Sequence, residues 1–142
     1  MTETIAHITD IHLDEDFPKQ RGVNARAQWE MMIGDLQKRG IQKVIFGGDI
    51  GDPGAVPYFF ESLKSFELNI SPGNHDVSLD GKVPHLAPKP GKDGYYRFND
   101  DGAYRFIFMD SSLQRISEAQ LAWFKEALVT DLKIILAMKI KR

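Results

Sequence analysis

Three short stretches of this chain carry side chains that could do chemistry, and each stands where the sequence stops reading as strand. Asp10-Ile11-His12 follows Ile5 to Thr9, Gly48-Asp49-Ile50-Gly51-Asp52 follows Val44-Ile45-Phe46, and Gly73-Asn74-His75-Asp76 follows Phe66 to Ile70. In extended backbone, alternate residues point to one side, so the Asp10 carboxylate and the His12 imidazole can converge on one ion. Asp49 and Asp52 are carboxylates three apart at a strand end, a place suited to metal binding or to acid/base work. An Asn74 amide oxygen can bind a hard cation, and a histidine beside a carboxylate, as in His75-Asp76, can be held in one tautomer and donate a proton. Taken singly, each stretch also reads as an ordinary turn, because Gly, Asp, Asn and Pro are turn residues. Three of them at three successive strand ends argue for one shared site.

The intervening residues supply what such a site needs. Between Asn24 and Arg39, Trp29, Met32, Ile33 and Leu36 recur at helical spacing and Gly40 follows as a C-terminal stop. Strand, helix and the strand Lys43 to Phe46 make a unit whose crossover should be right-handed and whose sheet should be parallel. Asp10, His12 and Asp49 would then end neighbouring strands at the same edge. Ala55 to Ser65 reads as a second helix with Phe59, Phe60 and Leu63 on its apolar face, and Phe66 to Ile70 as the third strand. Residues 77 to 93 are polar and rich in Pro and Gly, a long loop suited to one wall of a substrate cleft. Tyr95 to Phe98 and Tyr104 to Met109 predict a hairpin turning over Asn99-Asp100-Asp101-Gly102, the start of a second sheet. Ser117-Glu118-Ala119-Gln120 has the form of a capping box, with Leu121, Phe124 and Leu128 continuing an amphipathic helix, and a last strand lies within Asp131 to Met138. His7, in the first strand, reads as structural, and His85, in the loop, is left unassigned.

Composition bounds the rest. The 142 residues suit a single domain, 1–142, and 42% hydrophobic with 27% charged residues is the balance of a globular chain. A net charge of −2 gives no electrostatic case for nucleic acid or an anionic membrane. With no cysteine, any metal must be held by oxygen or imidazole ligands, which favours Mn, Fe, Mg or Zn. Neither a secretory signal nor an apolar run of bilayer length occurs, so a cytoplasmic location is expected. The absence of GxxxxGK[ST] and GxGxxG argues against a glycine-rich phosphate cradle.

In that order and at strand ends, Asp10-x-His12, Gly48-Asp49-x-x-Asp52 and Gly73-Asn74-His75-Asp76 resemble the calcineurin-like metallophosphoesterases. His7-Ile-Thr-Asp-Ile-His-Leu13, Met109-Asp-Ser-Ser112 and Ser117 to Leu128 look most like the cyclic-nucleotide phosphodiesterase branch. The resemblance implies an α/β fold in which two sheets are sandwiched between helices, an αββα arrangement. It implies a phosphate-ester substrate of small size and two divalent ions. Asp10 and His12 would hold the first ion, Asp49 would bridge both, and Asn74 would hold the second. His75 would protonate or stabilise the leaving oxygen with Asp52 orienting its ring, and Asp76 would stand behind them. Two bridged cations lie ~3.5–4 Å apart, lower the pKa of a shared water and neutralise phosphate charge.

The chain also departs from the family pattern. Family members continue with a histidine at the next strand end and a later Gly-His-x-His turn; here Lys139 stands in the first position and the chain ends at Arg142. The expectation is therefore of the N-terminal part of the family fold, lacking its C-terminal strands. Its second metal would be weakly held or absent, and exposed sheet surface would favour self-association. The alternative to an enzyme is a truncated or degenerate domain that binds metal weakly without catalysis, or one that needs a partner chain.

Overall fold

The computed structural model describes residues 3–77 and 94–139. The loop expected over 77–93, including His85, and the basic end beyond Lys139 lie outside the described residues, apart from Val77. The chain divides into two compact units, one running to Ile70 and the other from Ser71.

In the first unit, β1 (Ile5–Ile8), β2 (Lys43–Phe46) and β3 (Glu67–Ile70) form a parallel sheet in the order β1-β2-β3. The expected strand, helix, strand alternation is present, with α2 (Ala25–Lys38) between β1 and β2. The Asn24 side chain caps this helix by accepting from the Ala27 N–H at 3.0 Å, and Gly40 takes the positive φ (68°) that ends it. Trp29, Ile33 and Leu36 are buried on its inner face and Met32 is partly buried against the same cluster. Trp29 stacks on Phe59 at 5.4 Å between centroids, Phe46 lies 4.7 Å from Phe59, and the indole N–H donates to Ser62 Oγ at 2.8 Å. The core thus joins α2, β2 and α3 (Val56–Ser62) by aromatic contact while leaving the indole N–H satisfied.

Two local departures from the expected elements occur here. The acidic run before Pro18 contains a short helix, α1 (Asp16–Gln20), because proline in a first turn removes no hydrogen bond that a helix needs. The helix expected over 55–65 is shorter and is preceded by a 3₁₀ turn, Pro53–Ala55, that Asp52 caps. His7 is exposed on β1 and is not part of the core.

In the second unit, β4 (Arg97–Asp101) pairs antiparallel with β5 (Tyr104–Phe108), and β6 (Lys133–Ala137) pairs parallel with β5. The hairpin is tighter than expected. Asn99 and Asp100 are in the ladder, and the turn lies at Gly102-Ala103, where Gly102 has φ 58°. A paired guanidinium explains the extension: Arg105 donates to both Asp100 oxygens at 2.7 Å across the strands, holding the Asp100 carboxyl below the usual carboxylate range.

Helix α4 (Glu118–Ala127) forms where expected, and Ser117 Oγ accepts from the Gln120 N–H at 3.1 Å. The reciprocal half of the capping box is not made. Gln120, only 3% exposed, instead uses its side chain on the strand that precedes it, accepting from the Asp110 N–H at 2.7 Å and donating to the Asp110 carbonyl at 2.9 Å. That inward pull turns the helix, so Trp123, Phe124 and Ala127 pack with Ile107 and Met109 while Leu121 and Leu128 stay exposed. The Asp110 carboxylate in turn accepts from the Tyr95 N–H at 2.7 Å and from Ser112 N–H and Oγ at 3.0 and 2.6 Å. Among the described residues, no helix is long and apolar enough to cross a membrane.

Replacing Gln120 by leucine leaves two buried backbone groups of Asp110 without their partners. Gln120→Leu is expected to cost on the order of 1–3 kcal/mol for each group in urea unfolding. Leu121→Gln, on the exposed side, is expected to stay within about 0.5 kcal/mol of wild type. Equal losses from the two variants would contradict this assignment of the helix faces.

Candidate metal centre

The first unit brings Asp10, His12 and Asp49 together beyond the carboxyl ends of β1 and β2. His12 Nε2 lies 3.8 Å from Asp10 Oδ1 and 4.0 Å from Asp49 Oδ2, and one potential ligand atom from each residue falls within 4.8 Å of the others. Bonds of about 2.0–2.2 Å let one ion span up to about 4.4 Å between two ligand atoms, so a small closing movement suffices to seat it. Asp49 is 2% exposed. A carboxylate that buried, with a second carboxylate turned to the same imidazole, gathers negative charge that a divalent cation would offset. The donor set therefore fits a hard or borderline divalent ion.

Backbone register creates this convergence. Beyond the strands, Asp10 N–H donates to Gly48 O at 3.0 Å, His12 N–H to Asp49 O at 3.2 Å and Leu13 N–H to Ile50 O at 2.7 Å; Asp52 N–H returns a bond to Leu13 O at 2.8 Å. Leu13 and Gly51 form a parallel bridge, and Leu13 and Ile50 are fully buried. The two turns are thus zipped along their length. The bonds also hold strain, since Asp10, His12 and Asp49 all have positive φ, at 61°, 46° and 62°. Each such non-glycine residue costs on the order of 1–3 kcal/mol and persists only where its surroundings over-determine it.

Side chains refine the aim of the ligands. Thr9 Oγ1 donates to Asp10 Oδ2 at 2.6 Å, leaving Oδ1 toward His12. Glu15 Oε2 lies 3.0 Å from His12 Nδ1. In the sequence Glu15 belongs to an acidic run, and the signal for its contact with His12 is its position three residues after that candidate ligand. Asp14, beside it, is claimed by Arg26, whose Nε and Nη2 lie 2.8 and 2.5 Å from its two oxygens. That fork holds the Asp14 carboxyl below the usual carboxylate range.

The remaining candidates are placed differently. Asp52 is exposed, and its Oδ1 accepts from the Gly54 N–H at 2.8 Å. Asn74, His75 and Asp76 belong to the second unit. Asp76 is buried and its carboxylate accepts from the Gly73 N–H at 2.8 Å, closing the turn that presents a partly buried Asn74 and an exposed His75. Asn74, Gly73, Ser111, Ser112 and Lys139 line a narrow cavity of about 10 Å³, room for one water molecule.

The parallel sheet thus brings two carboxylates and an imidazole within reach of one another beyond its strand ends, the donor set of a candidate metal site on an α/β fold. Residues 3–137 match the model of the calcineurin-like phosphoesterases, and the chain belongs to that family. Its mixed α/β architecture, with two sheets and helices, is consistent with the family fold, and the family is one of metal-dependent enzymes acting on phosphate esters. Comparison with curated proteins finds no match.

A Cβ on Gly51, which has φ 134°, would stand 2.2 Å from Leu13 O and 2.3 Å from Leu13 N, both backbone atoms. Gly51→Ala is expected to destabilise by more than about 2 kcal/mol and to weaken Mn²⁺ binding, whereas Gly34→Ala in α2, where a Cβ meets nothing within 4 Å, should stabilise by about 0.5–1 kcal/mol. Paired thermal unfolding and Mn²⁺ titration check both. The Asp14–Arg26 fork is exposed by roughly a third on each side, so Asp14→Asn should cost no more than about 1 kcal/mol at neutral pH. Because the folded carboxyl is depressed, that difference is fully present above the unfolded value of about 3.9 and shrinks as pH falls through the folded one. Urea unfolding of both proteins across the acid range measures it.

Proposed function

We propose that this chain is a metal-dependent phosphodiesterase, with cyclic nucleotides among its substrates. The observation that carries the reading is the convergence of Asp10, His12 and Asp49 at the carboxyl ends of adjacent parallel strands. In this reading Asp10 and His12 hold one divalent ion, Asp49 is shared with a second, and Asn74 contributes its amide oxygen there. Bound cations supply a nucleophile at neutral pH and neutralise charge on the phosphoryl group. His75, exposed at its turn, hands a proton to the departing alkoxide, and Asp52 orients its ring. The buried Asp76 keeps the Gly73-Asn74-His75 turn in shape through its bond from Gly73. The substrate is a small phosphate ester, bound from cytoplasmic solution, and neither nucleic acid nor a membrane is involved.

A second reading is favoured by Lys139. Its amino nitrogen is buried, and the residue lines the same narrow cavity as Asn74. A positive charge there works against a cation held by Asn74, so the chain would bind one metal and turn nothing over by itself. Association is the route by which further ligands arrive. The outer strand β6 leaves Ile134 and Leu136 40% and 49% exposed, which makes it a candidate edge for self-association.

Hydrolysis of bis-p-nitrophenyl phosphate and of a cyclic nucleotide with added Mn²⁺, on size-separated monomer and oligomer, tests these readings. Metal-dependent turnover that falls at least about a hundredfold in Asp49→Asn supports the enzyme. Turnover confined to the oligomer makes association part of the site. One Mn²⁺ or fewer per chain with no hydrolysis in any fraction establishes the second reading.

A further inference from the structure

We propose that Glu15 is a positioning residue that sets the tautomer of His12, so that Nε2 and not Nδ1 is presented to the metal. This rests on the reading of Asp10, His12 and Asp49 as ligands. A neutral imidazole carries one N–H, and whichever nitrogen holds it cannot bind a cation. Carboxylates stand at both edges of the His12 ring and compete for that proton. On one edge Glu15 Oε2 is 3.0 Å from Nδ1, a hydrogen-bond distance; on the other, Asp10 Oδ1 and Asp49 Oδ2 are 3.8 and 4.0 Å from Nε2, beyond one. The proton therefore belongs on Nδ1, donated to Glu15, and the Nε2 lone pair is left facing the two prospective co-ligands.

The local fold turns Glu15 toward His12. Glu15 occupies the N-cap position of α1 with extended backbone (φ −67°, ψ 149°), and its side chain makes no capping bond there. Its carboxylate turns back to His12 across a turn closed by the Glu15 N–H to His12 carbonyl contact at 3.4 Å. The two neighbouring acids have separate duties: Asp14 is held in the Arg26 fork, and Asp16, at the helix start, lies 3.9 Å from Lys19. Both His12 and Glu15 are about four-fifths shielded, with side chains 21% and 19% exposed, so water competes weakly for the bond. A carboxylate hydrogen-bonded to a ligand histidine both fixes the ring and raises its basicity.

The test uses the full chain and variants Glu15→Ala and Glu15→Gln, with folding verified by circular dichroism. In metal-free protein at mildly alkaline pH, ring ¹⁵N shifts report the tautomer, and loss of a signal in His12→Gln assigns it among the four histidines. The expected result is an Nδ1–H ring in wild type, a shift toward Nε2–H in Glu15→Ala, and retention of Nδ1–H in Glu15→Gln, whose amide oxygen still accepts. Mn²⁺ affinity, read by titration, should fall about 10–100-fold in Glu15→Ala and less in Glu15→Gln. An Nε2–H ring in the wild type, or a Glu15→Ala protein whose tautomer and affinity match wild type, overturns the proposal. Should Glu15→Ala not fold, the wild-type tautomer together with Glu15→Gln decides it. If the wild type binds no Mn²⁺ at all, the metal reading fails, while the tautomer in metal-free protein still decides whether Glu15 sets the ring.

Discussion

The run of backbone hydrogen bonds between residues 10–13 and 48–52 is the constraint on which the candidate site depends. It continues the parallel pairing of β1 and β2 past the point where both stop being regular strand. Continuation is possible only because Gly51 has no side chain: the Leu13 backbone occupies the space where a Cβ would be. Burial of Leu13 and Ile50 anchors the zipped turns to the core beneath, so their polar side chains are displayed from a rigid base. Three candidate ligands with left-handed backbone are the consequence. Such conformations are uncommon outside glycine, Asn, Asp and His contribute most of them, and their clustering at one spot points to a function that repays the strain.

The second unit solves a similar problem with side chains. Asp110 stands two residues beyond β5; its carboxylate accepts three hydrogen bonds from Tyr95 and Ser112, its backbone N–H donates to the Gln120 side-chain oxygen, and its carbonyl accepts from the Gln120 amide. A buried carboxylate satisfied in this way organises its surroundings instead of acting on a substrate. The turn Gly73 to Asp76 is fixed by the same economy, with buried Asp76 bonded to Gly73. Two aspartates therefore hold loops in place, while Asp10 and Asp49 are held by loops. That difference separates the acids that hold loops from the candidate ligands more clearly than residue type does.

Much of the fold was legible in the sequence because it rests on patterns with a physical period. Trp29, Ile33 and Leu36 mark the inner face of α2, and Val44-Ile45-Phe46 marks a strand whose successive residues are all buried. The cluster of Asp10, His12 and Asp49 was legible for a topological reason: parallel strands put their carboxyl ends at one edge. What was not legible depends on partners distant in sequence or on competition between local options. Gln120 serves two backbone groups ten residues away, which displaced the reciprocal half of the expected capping box and left Leu121 and Leu128 of the expected apolar face exposed. Arg105 kept Asp100 in the ladder and moved the hairpin turn. Glu15 could have capped α1, and only the fold reveals that it bonds His12.

The central claim is that Asp10, His12 and Asp49 form a metal centre, and it can be tested without any assumption about substrate. Crystals of the chain grown with Mn²⁺ and measured near the manganese absorption edge would locate the ion by its anomalous scattering. The account predicts a peak bonded to Asp10, His12 Nε2 and Asp49. A strong peak on other residues, or none at saturating Mn²⁺, would contradict it.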